Sequence, residues 1–591
     1  MAIKAPFSVH QVTCLVPAGC HAIIYNNYCE GTNGKQRLIV PRGHGSLHRN
    51  KDPDVSHSVA AIQVAPPFNS STSRWAPVRV HFTLRFAMNT TNHTPLPRSI
   101  PALVATIAAM AVPLSLNLLV SQVMINTDAA FLGHLGTQEL AGVAVANTWM
   151  MVPYEFMYYG ILALNTLCSV AAGAGRHALV GTWLQTALVF AIGGAVVVAL
   201  WYCVAVGEIV ALSMDDVETV ACGTVFARLM ALAMVPQLAF GALASFFASV
   251  EIVLPTTVCC VVTMGLNVVF NQVLIHGVGA WPGLGFIGSP LATLASSVLQ
   301  LVIFLAYTVV YRGLHRPYWA GWSVDCIRWT RLKTFLGLAI PIGASMAAEW
   351  AASAVATSFL ATHGADVVAA QAVLLSLYTI VYAGSSGAST ATQMLVARFL
   401  GMGASMTARR VAFIGAGLVV AIVTFFLVGI LVSPAHVLSI WTDDAAVVAL
   451  CASVSLEFGI YLVVNGVRYH VEECLYAMHK GTLVFVANNV GCWGAFLPLA
   501  YLGTMHWGWG LHGYWRADLA GEVVKLVILV IFGWLRLNWD AETKVAAQSL
   551  ADSTDSETSS TLDSPTWDSS DTMYDRVKTP KADEPVSIVV V

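Results

Sequence analysis

Two acidic residues stand inside long apolar stretches of this sequence. Asp128 lies toward the end of the stretch 102–133, and Glu349 lies in the middle of the stretch 334–362. A low-dielectric environment disfavours the charged form of a carboxyl group, so such a group can take up and release a proton. A charge in a bilayer also costs about 2.5–3.5 kcal/mol on insertion scales, which makes an ionisable residue there a functional candidate. The chemistry expected of both residues is therefore binding and release of H⁺ or another cation.

Glu349 is the strongest single candidate. It follows Pro341 on the same predicted helix, its neighbours except Trp350 are apolar, and no Lys or Arg lies within a turn or two of helix. We therefore expect an unpaired carboxyl group whose proton release is coupled to cation binding. The alternative is a purely structural role.

Amide side chains form a second group of candidates. Asn267 and Asn271 are four residues apart, so they share one face of a predicted helix. With Asp128 they could hold Na⁺, or they could orient a water molecule or a substrate. The competing interpretation is interhelical hydrogen bonding, for which membrane helices also use Asn.

Charged residues also occur in two later apolar stretches, 445–476 and 512–535. The candidates there for ion coupling or substrate binding are Asn465, Glu472, Glu473, Asp518 and Glu522. Arg468 and Glu472 are spaced to pair along one helix; the alternative is an ion pair that snorkels at the inner membrane surface. On the last helix, Lys525 lies within reach of Glu522 and Asp518. Together with Glu349, these residues predict an acidic, partly paired cavity.

Aromatic residues could line a path for a cation by π contact, although plain packing is the competing interpretation. The candidates are Tyr154, Tyr158, Tyr159, Trp350, Tyr378 and Tyr461. Glu155 is a further acidic residue whose importance depends on the face of its helix.

Transmembrane helices must position these side chains. Hydrophobic residues make up 57% of the 591 residues, charged residues only 10%, and the mean hydropathy is +0.70; a soluble globular chain carries about 25% charged residues. A helix needs about 20 apolar residues to cross the hydrocarbon core. The stretches that meet this requirement are 102–133, 139–172, 180–206, 217–247, 254–277, 287–311, 334–362, 366–398, 410–433, 445–476, 482–504 and 512–535.

The chain divides into four predicted regions. Residues 1–98 form an irregular cytosolic extension that we expect to be disordered. Residues 99–320 contain the first six helices and the start of a linker, and residues 321–540 contain the last six. Residues 541–591 form a disordered acidic tail rich in Ser and Thr, which could be phosphorylated, bind a partner or be passive.

The basic residues of the loops alternate between the two sides. Loops after even-numbered stretches contain Arg176, Arg312, Arg316, Arg328, Arg331, Lys333, Arg409, Arg410 and Lys480, and loops after odd-numbered stretches contain no Lys or Arg. The positive-inside rule therefore places both termini in the cytosol.

The two halves of the membrane region repeat. Pro113 corresponds to Pro341 (341 − 113 = 228), and the same offset relates Gly173 to Gly401. Near the end of each half, GLGFIG from Gly283 corresponds to GWGLHG from Gly508, at an offset of 508 − 283 = 225. Six helices per half give a parallel repeat, in which substrate binds within or between two lobes that rock to alternate access.

These residues also carry a resemblance to the multidrug and toxic compound extrusion (MATE) family. Pro113 followed by TDAAFLGHLGTQELAGVAVA, the GAG at Gly173, the segment NVVFNQVLIHG to GLGFIGSPLAT, and PIGASMAAEW resemble family signatures across about residues 100–535. The resemblance implies an all-α fold of about twelve transmembrane helices in two six-helix lobes, forming a V-shaped antiporter. It also implies a proton or sodium site at Asp128 and a coupling or cation-binding role for Glu349.

The sequence departs from the family at two polar positions. Asn271 stands where some members have Asp, and Val464–Asn465 stands where the family often has Phe-Asp. Neither Asn can release a proton, and fewer carboxylates also mean fewer hard oxygen ligands for Na⁺. The departures therefore favour H⁺ over Na⁺ as the coupling ion.

No motif of a hydrolase, metalloenzyme, nucleotide-binding loop or dinucleotide-binding fold occurs, which predicts a protein that is not an enzyme and uses an ion gradient instead of a cofactor. We expect a monomeric antiporter that exports organic cations, drugs or xenobiotics in exchange for H⁺, or less readily Na⁺. Nucleic acid is not an expected partner, and the plasma membrane or a vacuole-like organelle membrane is the expected location. The alternatives are a flippase for a lipid-linked oligosaccharide, which needs a strongly basic cavity, and a membrane receptor or scaffold.

Overall fold

Long helices account for nearly all of the regular structure. The computed structural model describes residues 99–213, 216–438, 441–442 and 444–552. The predicted disordered extension 1–98 and residues 553–591 of the predicted tail lie outside the described residues. Within the described ranges the chain forms no β-strand, only one isolated bridge between Val278 and Trp281.

The first half of the membrane region contains six helices. They are α1 (Ile100–Gly133), α2 (Thr137–Gly173), α3 (His177–Ser213), α4 (Val217–Ser249), α5 (Leu254–His276) and α6 (Gly285–Tyr311). More than 60% of the most apolar 18-residue segment is buried in α2 and in α4, against 22–33% in the other four helices. Helices α2 and α4 therefore lie inside the fold, whereas the other four expose apolar faces suited to lipid.

The second half has the same order of helices. They are α7 (Trp329–Ala361), α8 (Ala365–Gly401), α9 (Ser405–Val432), α10 (Ala445–Ser453 and Ser455–Ala477), α11 (Gly481–His506) and α12 (Gly510–Ile528). Helix α10 is bent by 57° at its break. Ten of the described helices, or eleven with α10, are long and apolar enough to cross a membrane; α12 falls short because it carries four charged residues. The predicted all-α membrane fold is confirmed.

The repeat is visible in the backbone as well as in the sequence. The turns α4–α5 and α10–α11 contain Glu251 (φ 65°) and His479 (φ 60°), both in the left-handed region although neither is glycine. Their separation, 479 − 251 = 228, is the offset of the sequence repeat. Non-glycine residues seldom adopt this conformation, so its occurrence at equivalent turns shows that the two halves share one local fold.

The two halves pack tightly where α2 and α8 end, which we call the glycine end. A Cβ added to Gly173 would lie 2.0 Å from the carbonyl oxygen of Arg398, and one added to Gly401 would lie 2.2 Å from that of Val170. Only glycine permits so close an approach of two backbones. The amide of Asn165 donates to Gln393 Oε1 (3.4 Å) across the same junction.

The predicted tail begins with a helix. Helix α13 (Trp539–Asp552) follows α12 after a π-helical segment (Leu529–Gly533) and a 3-10 turn (Trp534–Arg536), so the prediction that disorder begins at residue 541 is wrong for residues 541–552. Ala546 and Leu550 are buried, and Lys480 Nζ lies 2.8 Å from Glu542 Oε1. A guanidinium nitrogen of Arg176, from the first half, donates to the carbonyl of Leu550 (3.1 Å). The helix was missed because its polar composition hid the i, i+4 pair of apolar residues that it buries.

Candidate functional site

The first half contains a polar cluster around Asp128. Asn271 Nδ2 of α5 donates to Asp128 Oδ1 (2.6 Å), and the Thr293 hydroxyl of α6 donates to Asp128 Oδ2 (2.8 Å). Asn271 Nδ2 also lies 3.1 Å from Asn267 Oδ1. The structure therefore brings together Asp128, Asn267 and Asn271 as expected, and it adds Thr293, which sequence reasoning missed.

This cluster contains no cationic side chain among the described residues. Every donor to Asp128 is neutral, and its carboxylate takes part in no ion pair. Asn267 and Asn271 are completely buried, and Asn271 Oδ1 has no hydrogen-bond partner within the described chain. An unpaired carboxylate with a spare amide oxygen beside it can exchange a proton or bind a small cation.

The second half contains a buried network of five charged side chains. Lys525 Nζ lies 2.7 Å from Glu349 Oε1 and 2.6 Å from Glu522 Oε1. Arg468 Nε lies 2.6 Å from Glu522 Oε2, and the same guanidinium pairs with Glu472. A guanidinium nitrogen of Arg468 also lies 3.5 Å from Glu349. The network contains three carboxylates and two cations, so most of its negative charge is compensated.

The expectation that Glu349 is unpaired is therefore wrong. Its partners are Lys525 and Arg468, which lie 176 and 119 residues further along the chain. No inspection of neighbouring residues could find them. The Glu349 side chain is 25% exposed, whereas the other four members are at most 3% exposed. Glu349 is thus the accessible end of the network, and its Oε2 has no partner in the described part of the chain.

Neutral side chains complete the network. Asn465 Nδ2 donates to Glu522 (3.1 Å), and both Tyr476 and Asn488 donate to Glu472 (2.8 and 3.1 Å). The predicted pairing of Arg468 with Glu472 is confirmed. The alternative of a snorkelling pair at the membrane surface is wrong, because both side chains are buried inside the protein. Asn488 was not recognised from the sequence.

Glu473 and Glu472 lie where the halves meet. Both line a narrow cavity at the junction with Tyr159 of α2, Gln393 of α8 and Tyr469 of α10. The cavity is bounded by helices from both halves, so its shape depends on how the halves pack. These two carboxylates therefore lie at the junction of the two halves.

Asp518 has no partner of this kind. It is half-buried on α12, one turn before Glu522, and it takes part in no ion pair or hydrogen bond within the described residues. Glu155 of α2 is likewise half-buried, with neither a hydrogen bond nor a salt bridge to the rest of the described chain. The two carboxylates lie in opposite halves.

A series of tyrosine rings connects the halves. Tyr154, Tyr158 and Tyr159 contact one another along α2 (centroids 5.9 and 5.6 Å apart), and the hydroxyl of Tyr159 lies 3.2 Å from that of Tyr382 on α8. Tyr382 stacks on Tyr378 (5.6 Å), and Tyr378 contacts Tyr461 (5.9 Å). Trp350 is 45% exposed and contacts none of these rings within the described chain. Five of the six predicted aromatic residues thus belong to one series, and Tyr382 was missed.

The repeat explains which part of the network is particular to the second half. Gln237 donates to Ser297 (3.2 Å) in the first half, and the corresponding pair is Asn465 with Glu522 (465 − 237 = 228; 522 − 297 = 225). At the same offsets, Gln300 corresponds to Lys525 and Ser121 to Glu349. Positions that are neutral in the first half are charged in the second. Alignment of the two halves marks these charged positions as particular to the second half, but it does not show which of them are in contact.

Two repeated six-helix halves, with ionisable groups buried in each, define a membrane transporter that works without an enzymatic site. A family model described as MatE matches residues 113–273 and again 341–502, together more than half of the chain. The start positions of these two matches differ by 228 residues, the offset of the repeat. The chain belongs to the MatE family, as its sequence resemblance predicted.

Relatives and solved structures agree with this assignment. A probable multidrug resistance protein NorM of Geobacillus kaustophilus is 27% identical over 415 residues, which cover 68% of this chain and 88% of the relative. Multidrug and toxin extrusion protein 1 of Xenopus tropicalis is 25% identical and covers 74% of this chain and 76% of the relative. The eukaryotic MATE transporter AtDTX14 superposes with a TM-score of 0.69 at 18% identity, over 76% of this chain and 99% of that chain. An outward-facing multidrug resistance MATE transporter gives 0.67 at 16% identity, over 76% of this chain and all of that chain.

Proposed function

We propose that the protein is a secondary antiporter that exports organic cations in exchange for H⁺. The observation that supports this most directly is the Asp128 carboxylate, held inside the first half by neutral donors and by no cation. Homology to multidrug efflux proteins supports export of small organic molecules. The alternating loop charges support cytosolic termini, in the plasma membrane or a vacuole-like membrane.

The orientation of the donors favours H⁺ over Na⁺. Each oxygen of Asp128 accepts a hydrogen bond, one from the Asn271 amide nitrogen and one from the Thr293 hydroxyl. Na⁺ would need oxygen ligands. The Thr293 hydroxyl keeps lone pairs while it donates, but the Asn271 amide presents its nitrogen to Asp128 and would have to rotate to present its oxygen. A proton needs only one of the carboxylate oxygens. The existing arrangement therefore suits a carboxyl group that alternates between its charged and neutral forms.

The flippase alternative requires a strongly basic cavity for lipid phosphates. Arg468 and Lys525 are the cations of the C-terminal network, and carboxylates surround both of them. The described ionisable groups inside the two halves are mainly acidic. This balance supports a cationic cargo.

Transport by purified protein in liposomes tests the proposal. A fluorescent organic cation such as ethidium is provided outside, and a pH gradient or a Na⁺ gradient is imposed separately. We expect accumulation driven by the pH gradient and at least a tenfold lower rate for Asp128→Asn. The matched control is Asp366→Asn, which removes an exposed carboxylate at the start of α8 and should transport at the wild-type rate.

Accumulation driven by Na⁺ alone would refute H⁺ coupling. Undiminished transport by Asp128→Asn under either gradient would refute the role of Asp128. Uptake of a neutral or anionic probe in place of the cation would refute the proposed cargo.

A further inference from the structure

The carboxylates of the C-terminal half fall into two groups. Glu349, Glu472 and Glu522 each lie within ion-pairing distance of Arg468 or Lys525. Asp518, one turn before Glu522 on α12, and Glu473 of α10 pair with no cation in the described part of the chain. Glu473 is only 5% exposed, whereas Asp518 is half-buried, so Asp518 is the more accessible of the two. The resemblance implied a coupling or cation-binding role for Glu349, but its Oε1 is held by the Lys525 ammonium, and only its Oε2 has no partner in the described residues.

Release of Glu349 would leave a buried cation without compensation. The Lys525 side chain is 3% exposed, and its ammonium lies between Glu349 and Glu522. A cargo cation that displaced it would turn one compensated ion pair into an uncompensated charge, which is costly inside a protein. Binding at Asp518 needs no such displacement, because that carboxylate has no partner to lose.

The surroundings of Asp518 suit an organic cation. Tyr514 and Trp515 lie four and three residues before Asp518 on α12, so they share its face of the helix, and their rings contact each other (5.4 Å). Tyr461 contacts Trp515 (5.2 Å) and Tyr378 (5.9 Å), so it joins the tyrosine series that extends to the junction of the halves. The Trp515 side chain is 1% exposed, and its Nε1 has no hydrogen-bond partner within the described residues. A carboxylate beside aromatic rings is an arrangement that binds aromatic or quaternary cations.

The repeat supports the inward placement of Asp518. Its counterpart in the first half is Thr293 (518 − 293 = 225), whose hydroxyl donates to the buried carboxylate of Asp128. The same position of the repeated helix therefore faces the ion-binding cluster of its own half. Asp518 thus faces the interior of the C-terminal half.

We propose that Asp518, not Glu349, is the carboxylate that binds the cargo cation in the C-terminal half. Lys525 is the counter-ion of Glu349 and Glu522, and it neutralises their charge both with and without bound cargo. This assignment rests on the proposed function, since it assumes an organic cation as cargo. It predicts that cargo affinity depends on Asp518 and is insensitive to joint neutralisation of Glu349 and Lys525.

Equilibrium binding of tetraphenylphosphonium to the purified full-length protein tests the assignment without any ion gradient. We expect Asp518→Asn to weaken binding by about tenfold or more, a change that corresponds to losing one favourable charge contact. Asp518→Glu should retain binding within about threefold of wild type, and so should the double variant Glu349→Gln/Lys525→Met. Asp366→Asn serves as the control for an exposed carboxylate, and thermal unfolding verifies that each variant is folded.

The outcomes separate the two proposals. The assignment is overturned if Asp518→Asn binds tetraphenylphosphonium with wild-type affinity. It is also overturned if the double variant loses tenfold in affinity while Asp518→Asn retains binding. In either case the exchange of organic cations for H⁺ still stands, because the liposome assay measures it independently. Absence of tetraphenylphosphonium binding by the wild-type protein overturns the Asp518 assignment while ethidium transport persists, and it overturns both proposals when ethidium transport is absent as well.

Discussion

Replacement of Lys525 by methionine is the sharpest probe of the buried network. Methionine retains much of the apolar stem and removes the ammonium that lies 2.7 Å from Glu349 and 2.6 Å from Glu522. Glu522 keeps Arg468 at 2.6 Å and Asn465 at 3.1 Å, whereas Glu349 keeps only a 3.5 Å contact with Arg468. The loss of stability should therefore come mainly from the broken pair between Lys525 and Glu349.

The magnitude follows from burial. Removal of one partner of a buried ion pair costs about 3–5 kcal/mol, because an uncompensated charge stays behind. The Glu349 side chain is one quarter exposed and Glu522 retains a cation, so the lower end applies, about 3 kcal/mol. Adding Glu349→Gln removes the stranded carboxylate, and it should restore about 2 kcal/mol, within the range of coupling energies measured for contacting residues.

The free energy of unfolding, measured by equilibrium denaturation in mixed micelles, provides the assay. The wild type, Lys525→Met, Glu349→Gln and the double variant complete a double-mutant cycle. Lys333→Met, which changes an exposed lysine near the start of α7, should stay within about 0.5 kcal/mol of wild type. An equally small effect of Lys525→Met would refute the pairing, and so would a double variant whose loss equals the sum of the two single losses.

Two further perturbations test how the halves and α13 are held. Gly173→Ala would place a methyl group 2.0 Å from the Arg398 carbonyl oxygen, so the two halves could not pack as tightly at the glycine end. We expect at least a tenfold loss of cation transport in liposomes. Unchanged transport would contradict the close packing. Lys480→Met removes the ion-pair partner of Glu542, and pairs of this kind contribute about 0.2–1 kcal/mol. We therefore expect faster amide hydrogen exchange in α13 only, without loss of the transmembrane fold. Unchanged exchange in α13 would show that its buried apolar residues alone hold the helix.

The fold could be predicted because lipid imposes a simple rule on sequence. Each helix must satisfy its own backbone and show apolar side chains to lipid, so length and hydropathy locate eleven of the twelve helices directly. The charged helix α12 was predicted as the apolar stretch 512–535, although by length and composition its helix Gly510–Ile528 does not qualify as a span. The polar helix α13 had no such signal and was predicted as disordered.

The site was predictable only where local spacing carried the information. Asn267 and Asn271 share a helix face, and Arg468 and Glu472 are one turn apart, so both pairs follow from helix geometry. The pairing of Glu349 with Lys525 joins α7 to α12, and nothing in the local sequence of either helix specifies it. Contacts between helices distant in sequence depend on tertiary packing, which periodicity does not encode.

The two halves carry different residues at equivalent positions of the repeat. Thr293 and Asp518 occupy equivalent positions of the repeat. In the first half Thr293 is a neutral donor to Asp128, whereas in the second half the same position carries a carboxylate, Asp518. At Gln300 and Lys525, the first half is neutral and the second carries a cation. The first half thus has one carboxylate with neutral donors, which suits a small ion. Among the described residues, the second half has compensated carboxylates, two carboxylates without a cationic partner (Glu473 and Asp518) and a set of aromatic rings, an arrangement that fits the proposed larger cation. Two hydrogen bonds join the halves at their junction, between Tyr159 and Tyr382 and between Asn165 and Gln393. Binding of an ion in the first half can therefore alter the packing of the second half around the cargo, and binding of the cargo can alter the packing of the first half.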